Sequence, residues 1–131
     1  MSKTAKLTRN QGIVLDALKR ASQPLSAYQI LDDETVRGEG IKAPLTVYRA
    51  VGRLVDKGLV HRIESLNAFV VCDHEPHSEP AAFMICTACK QTIEVGTTDV
   101  QRAVAKQAAR RGFKVDRMQV EISGTCEDCD T

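Results

Sequence analysis

The run PLTVYRAVGRLVDKGLVHRIESLNAFVVC, residues 44–72, changes its period halfway along. From Pro44 to Gly58 the apolar residues Val47, Val51, Leu54 and Val55 recur at steps of three and four, the spacing of one helix face. Pro44 suits a first helical turn, and Gly58 suits the left-handed position that closes a helix. Beyond Gly58 the pattern becomes strand-like: residues 59–63 and 68–71 flank Ser65, Leu66 and Asn67, a turn-forming trio. A helix that runs straight into a short hairpin is the second half of a winged helix-turn-helix.

The upstream chain completes that motif. Thr8 to Ala21 carries Val14, Ala17, Leu18 and Ala21 on one helical face, and Gln23-Pro24 ends it. Ser26 is the expected N-cap of a second, short helix that turns Ala27, Ile30 and Leu31 inward. The polar run Arg37 to Gly40, with two glycines, reads as a loop. Three helices and a hairpin therefore fill residues 1–72. Residues 73–82, polar and containing Pro76 and Pro80, read as a hinge.

Residues 83–131 follow a different plan. A strand at 83–85 and another at Thr92 to Val95 precede an alanine-rich helix, Asp99 to Arg111, with Val100, Ala103, Val104 and Ala108 on one face. Gly112 closes it, and Phe113 to Ile122 is expected to be a third strand. The fold class is α+β: an N-terminal winged helix-turn-helix domain followed by a small α/β dimerisation domain with a four-cysteine zinc site.

The zinc site rests on Cys86-x-x-Cys89 and Cys126-x-x-Cys129, which use four of the five cysteines. A single CxxC pair is as easily a redox couple; two pairs make a closed tetrahedral S₄ cage suited to structural Zn²⁺, and paired disulfides are the alternative. Residues 90–125 exceed the spacer of a simple zinc ribbon, so a folded unit separates the two halves.

Composition narrows the setting. No stretch approaches the ~20 apolar residues of a membrane span, and Met1 to Lys6 lacks the apolar core of a signal peptide. A cytoplasmic protein is expected, in a compartment that keeps thiols reduced. Net charge is +1, but it divides into +5 through Arg62 and −4 beyond it. The basic half suits a polyanionic partner.

On the third helix, Thr46, Arg49 and Arg53 fall opposite the apolar stripe, interleaved with Ala50 and Gly52. Arg49 sits in the N-terminal half, where recognition helices meet base edges, and a guanidinium there can bind guanine O6 and N7 together. Arg53, one turn on, suits a phosphate. The alternative is two arginines solvating a surface helix; the adjoining hairpin and the basic half weigh against it. Tyr28, in the first turn of the second helix, is either a core tyrosine or a DNA contact.

Cys72, the histidines and Glu94 suggest a second site. His61 opens the wing and Cys72 closes it, His74 and His77 follow in the hinge, and Glu94 alternates with Ile93 and Val95, away from the core side of its strand. Cys72, His61, one hinge histidine and Glu94 would form a tetrahedral zinc site across both domains. Each residue taken alone also reads as an ordinary surface or small buried side chain.

Thr46-Val-Tyr-Arg49, Leu54, Gly58-Leu-Val60, both CxxC pairs and the Gly112-Phe113 step resemble the ferric uptake regulator family. Residues 60–72 together with Ser26-Ala-Tyr28 are closest to its zinc-sensing branch. The resemblance spans Leu7 to Cys129. It implies a homodimeric, zinc-responsive repressor of zinc uptake and homeostasis genes that binds double-stranded DNA at palindromic operators, with two zinc ions per chain. It assigns structural zinc to Cys86, Cys89, Cys126 and Cys129, and regulatory zinc to His61, Cys72, His77 and Glu94, with His74 the runner-up to His77. Tyr28 and Arg49 match DNA-contacting positions.

Two features depart from the family pattern. Its His-rich run is here Glu75 to Pro80, and Lys90 stands where glycine is usual. The expected alternative is a sensor of another metal, iron, against which Cys72 argues. An enzyme is not expected: four clamped thiolates are poor redox groups, both sites are filled by protein ligands, and neither a membrane nor a small-molecule substrate is implied. A zinc store that binds no DNA is opposed by the Arg49 face.

Overall fold

The computed structural model describes residues 7–21, 23–71 and 81–130, which fall into two compact units, Met1–Cys72 and Asp73–Thr131. The first unit holds α1 (Arg9–Arg20), α2 (Ala27–Leu31), α3 (Glu34–Gly38), α4 (Pro44–Asp56), β1 (Val60–Ile63) and β2 (Ala68–Val71).

Side-chain caps start the first two helices. Thr8 Oγ1 accepts the Gln11 amide at 3.2 Å while Gln11 Oε1 accepts the Thr8 amide, and Ser26 with Gln29 repeats the reciprocal pair on α2. Helix α4 starts on Pro44 without a side-chain cap and ends at Lys57. Gly58 then takes φ +77°, so that its amide reaches Val55 O and that of Leu59 reaches Leu54 O, both at 3.0 Å. Strands β1 and β2 pair antiparallel with Val60 opposite Val71 and Ile63 opposite Ala68. Leu25 and Phe69 exchange both backbone hydrogen bonds, tying the wing to the chain just before α2. Val14, Leu18, Ile30, Val47, Val51, Leu54 and Phe69 are part of one continuous core.

Helix α3 lies partly where a loop was expected. Asp33 Oδ1 accepts the Thr35 and Val36 amides at 2.9 and 3.0 Å and the Arg20 guanidinium at 2.9 Å, and the short helix buries Val36 completely. Partial burial works to raise the Asp33 pKa, but the Val36 amide, Arg20 and the Thr35 amide outweigh it and hold the carboxyl below its usual range. This stabilisation is therefore present above the ordinary carboxylate pKa and is lost as pH falls through the lowered one. Asp33→Ala is expected to cost about 1 kcal/mol of unfolding free energy at neutral pH. An unchanged denaturation midpoint would show that Val36 burial alone holds α3.

The second unit holds β3 (Ala81–Cys86), β4 (Thr92–Val95), α5 (Thr98–Arg110) and β5 (Gln119–Gly124). Its sheet runs β4-β3-β5, antiparallel on one side of β3 and parallel on the other. Strand β3 begins two residues before the expected Phe83. The expected strand over 113–122 shortens to β5: Gly112 at φ +63° directs the Phe113 amide back to Ala108 O, and Phe113 and Val115 remain exposed. The apolar face expected on α5 exists, yet no described residue of that helix is buried.

Candidate metal centre and nucleic-acid face

The sheet brings the two CxxC pairs together. Cys86 ends β3 and lies opposite Gly124 at the end of the parallel strand β5, so both strands deliver their cysteines to the same edge. The 36 residues of sequence between Cys89 and Cys126 (90–125) are bridged by β4, α5 and the crossover. All four sulfurs fall within 4.8 Å of one another, and Cys89 Sγ lies 3.8 Å from Cys126 Sγ. A zinc ion with Zn–S bonds of ~2.3 Å needs tetrahedral edges of about 3.8 Å, so the quartet fits Zn²⁺ with little adjustment.

The backbone prepares the cage. Amides of Cys89 and Cys126 point at Cys86 Sγ from 3.5 and 3.4 Å, and that of Lys90 closes the knuckle onto Cys86 O at 2.9 Å. The Cys89 amide, with that of Cys126, holds the Cys86 thiol down to about 6. Hydrogen bonding with the sulfurs of Cys126, Cys86 and Cys89 pushes Cys129 up to about 12. The backbone amides thus favour a thiolate at Cys86, whereas the crowding of sulfurs favours the protonated form of Cys129 until a cation replaces the proton. Lys90 takes φ +69°, the left-handed region that glycine adopts more cheaply, and its Nζ donates to Thr87 O at 3.0 Å.

Among the described residues this is the one cluster of histidine, cysteine or carboxylate side chains close enough to hold a metal. His61 is half-buried on β1 in the first unit, and Glu94 is half-buried on β4 in the second. Cys72, His74 and His77 lie outside the described residues. Glu94 corrects one expectation: it pairs with Phe83, itself buried, and so shares the sheet face of Phe83 rather than pointing away from the core side.

The nucleic-acid face is built on α4. The buried side is Val47, Ala50, Val51 and Leu54, which moves Ala50 from the outward face expected of it and leaves Val55 half-buried. At 3.6 residues per turn the opposite ridge is Leu45, Arg49, Gly52 and Asp56. Arg49 and Arg53 are exposed, and among the described residues neither guanidinium is engaged in a hydrogen bond or ion pair. Thr46 is half-buried on the flank, and Tyr28 stands exposed in the first turn of α2. A groove of about 670 Å³ runs between this side of α4 and the start of α1, lined by Thr8, Asn10, Gln11, Thr46, Arg49 and Arg53 among others. Sequence reasoning missed Asn10 and Gln11, which only the packing of α1 on α4 brings there. It also missed Leu45, whose place opposite the buried stripe a helical projection would have shown.

The comparisons with known proteins agree with these elements. A model of the ferric uptake regulator family matches residues 2–123. The zinc uptake regulation protein of Escherichia coli (strain K12) is 32% identical over 97% of this chain and 74% of its own length. That of Mycobacterium tuberculosis (strain CDC 1551 / Oshkosh) is 31% identical over 93% of this chain and 92% of its own. A solved zinc uptake regulator in complex with zinc and DNA superposes with TM-score 0.88 at 31% identity, covering 95% of this chain and 83% of that one. A holo XcZur crystal structure gives TM-score 0.82 at 38% identity, covering 94% and 85%.

Proposed function

The chain belongs to the ferric uptake regulator family, and from that membership we propose that it is a zinc-responsive DNA-binding repressor of zinc uptake genes. The observation that carries this reading is the match, at TM-score 0.88 over 95% of the chain, to a zinc uptake regulator complexed with zinc and DNA. It is a transcription regulator and not an enzyme, as its family is. No helix among the described residues is long and apolar enough to cross a membrane, and a cytoplasmic location follows from action on DNA.

Cys86, Cys89, Cys126 and Cys129 hold the structural zinc in this reading, supported by sulfur spacing that matches a tetrahedral Zn–S₄ cage. The sensing zinc is assigned to His61, Cys72, His77 and Glu94, with His74 the alternative to His77. One thiolate, two imidazoles and a carboxylate favour Zn²⁺ over harder cations. These residues come from both units of the chain, so their coordination restricts the hinge between reading head and second unit. Two heads held about one helical turn apart, ~34–36 Å, enter successive major grooves of a palindrome. Moving such an equilibrium almost completely takes ~5 kcal/mol, within the range of metal-binding energies.

The homodimer is supported by apolar surface. Met84, Ile93 and Ile122 stand in register across β4-β3-β5, each 44–48% exposed in the single chain, and Val100 and Val104 add an apolar helix face. A second copy would cover such surface.

Glu94→Ala is the test of the sensing site. The variant is expected to keep its dimer and one tightly held zinc per chain, while its DNA affinity stops rising as free zinc is buffered upward. A zinc titration of DNA binding that overlays that of the parent protein would remove Glu94 from the ligand set. The same titration with iron in place of zinc decides which metal is sensed.

A further inference from the structure

We propose that Leu45 is a specificity-determining residue that reads the C5-methyl group of a thymine in the operator; this rests on the assignment of α4 as the DNA-reading helix. Three large hydrophobic side chains are exposed among the described residues of the first unit: Tyr28, Leu45 and Tyr48. The tyrosines carry hydroxyls that suit an aqueous or polar surface. Leu45 has no polar atom, yet it is 57% exposed.

Its position gives the exposure a purpose. Leu45 follows Pro44 in the first turn of α4, the end of a recognition helix that meets base edges. It lies four residues before Arg49, so the two share the ridge directly opposite Val47, Ala50, Val51 and Leu54. Gly52, next on that ridge, adds no side chain and lets the helix axis come close, with open space around the position. Asp56 ends the ridge with a charge that phosphates repel, which favours docking through the N-terminal half. Four residues advance ~6 Å along the axis, so a side chain beside a guanine-reading arginine falls one or two base pairs away. The thymine methyl is the apolar group that the major groove offers to a leucine there. Leu45 thus lets the helix distinguish T·A from the other pairs beside the position read by Arg49.

The test uses the full-length, zinc-loaded chain and a duplex selected by it from a random-sequence pool. Each thymine of that duplex is replaced in turn by deoxyuridine, which lacks only the methyl. The parent protein is expected to lose about four-fold in affinity per half-site at one thymine near the guanine whose readout Arg49→Ala abolishes. Leu45→Ala is expected to bind thymine and deoxyuridine duplexes equally well, and Leu45→Met to restore the discrimination. Equal discrimination by Leu45→Ala and the parent, or no discriminated thymine in the parent, overturns the assignment. If instead Arg49→Ala binds the duplex as tightly as the parent, α4 is not the reader, and this inference fails together with the assignment of α4 as the DNA-reading helix.

Discussion

Cys126→Ser is expected to remove one zinc per chain and unfold the second unit while leaving the first unit folded. Serine keeps the shape of cysteine at slightly smaller size but supplies no thiolate, so the change tests the metal more than the packing. The second unit has little else to hold it: among its described hydrophobic residues only Ala82, Phe83, Ile85 and Cys86 are buried. A structural zinc contributes ~10–16 kcal/mol in small domains, as much as or more than the whole stability of a typical one. The first unit keeps its own core, from Val14 in α1 to Phe69 in β2. Circular dichroism should therefore keep the signal of α1–α4 and the β1-β2 wing and lose that of α5 and the three-stranded sheet, and sedimentation should show monomers. Elemental analysis that still finds the parent zinc content, with strand signal intact, would falsify the assignment of zinc to the cysteine quartet.

Arg49→Ala is expected to abolish sequence-selective binding with the fold unchanged. Its guanidinium is exposed at the centre of the α4 ridge, and among the described residues no internal hydrogen bond or ion pair depends on it. A bidentate arginine–guanine contact is worth ~1–3 kcal/mol of discrimination. A dimer makes that contact twice, so the loss of operator affinity is about 2–6 kcal/mol, roughly thirty-fold at the least. Arg53→Ala serves as the contrast. Removing a phosphate partner there weakens binding to all sequences alike and reduces the salt dependence by about one unit of slope for each phosphate released. Operator selectivity that survives Arg49→Ala would return the arginine to the role of a solvated surface charge.

Much of this architecture is legible in the residue pattern, because the elements concerned are locally encoded. The α4 stripe, the Gly58 stop and the alternation on either side of Asn67 each follow from neighbours a few residues apart. The capped starts at Thr8 and Ser26 are equally local, since the side chain that accepts the amide sits three residues away. Helix α3 was obscured because Gly38 within it, Gly40 just beyond it and the polar run between favour a loop, while its stabilisation comes from Asp33 and from Arg20 on another helix. The strand expected at Phe113 fails for a related reason. Alternating apolar residues mark a strand only where a neighbour is there to pair, and β3 meets only the stretch from Gln119 onward.

The candidate site divides in the same way. The paired CxxC spacing names a metal cage without any coordinates, because few other uses exist for four cysteines in two such pairs. Arg49, midway between Val47 and Val51, and Arg53, midway between Val51 and Val55, fall off the apolar stripe and likewise declare an outward, cationic helix face. Ala50 and Glu94 were placed on the wrong faces, since small or alternating residues carry weak signals of direction. Leu45 escaped notice because leucine is ordinarily a core residue, although a helical projection sets it opposite the buried stripe; the structure adds that nothing covers it in the single chain.

The sequence by itself determined the family, the α+β plan, the cysteine quartet and the reading helix, all written in short-range spacing and in residue chemistry. Only the tertiary structure decided how cysteines 37 residues apart share one cage, which side chains crown α4, and which apolar faces stay uncovered in a single chain. Those outcomes depend on the parallel pairing of β3 with β5 and on the docking of α1 against α4. Such contacts join residues far apart in the chain, and no local periodicity records them.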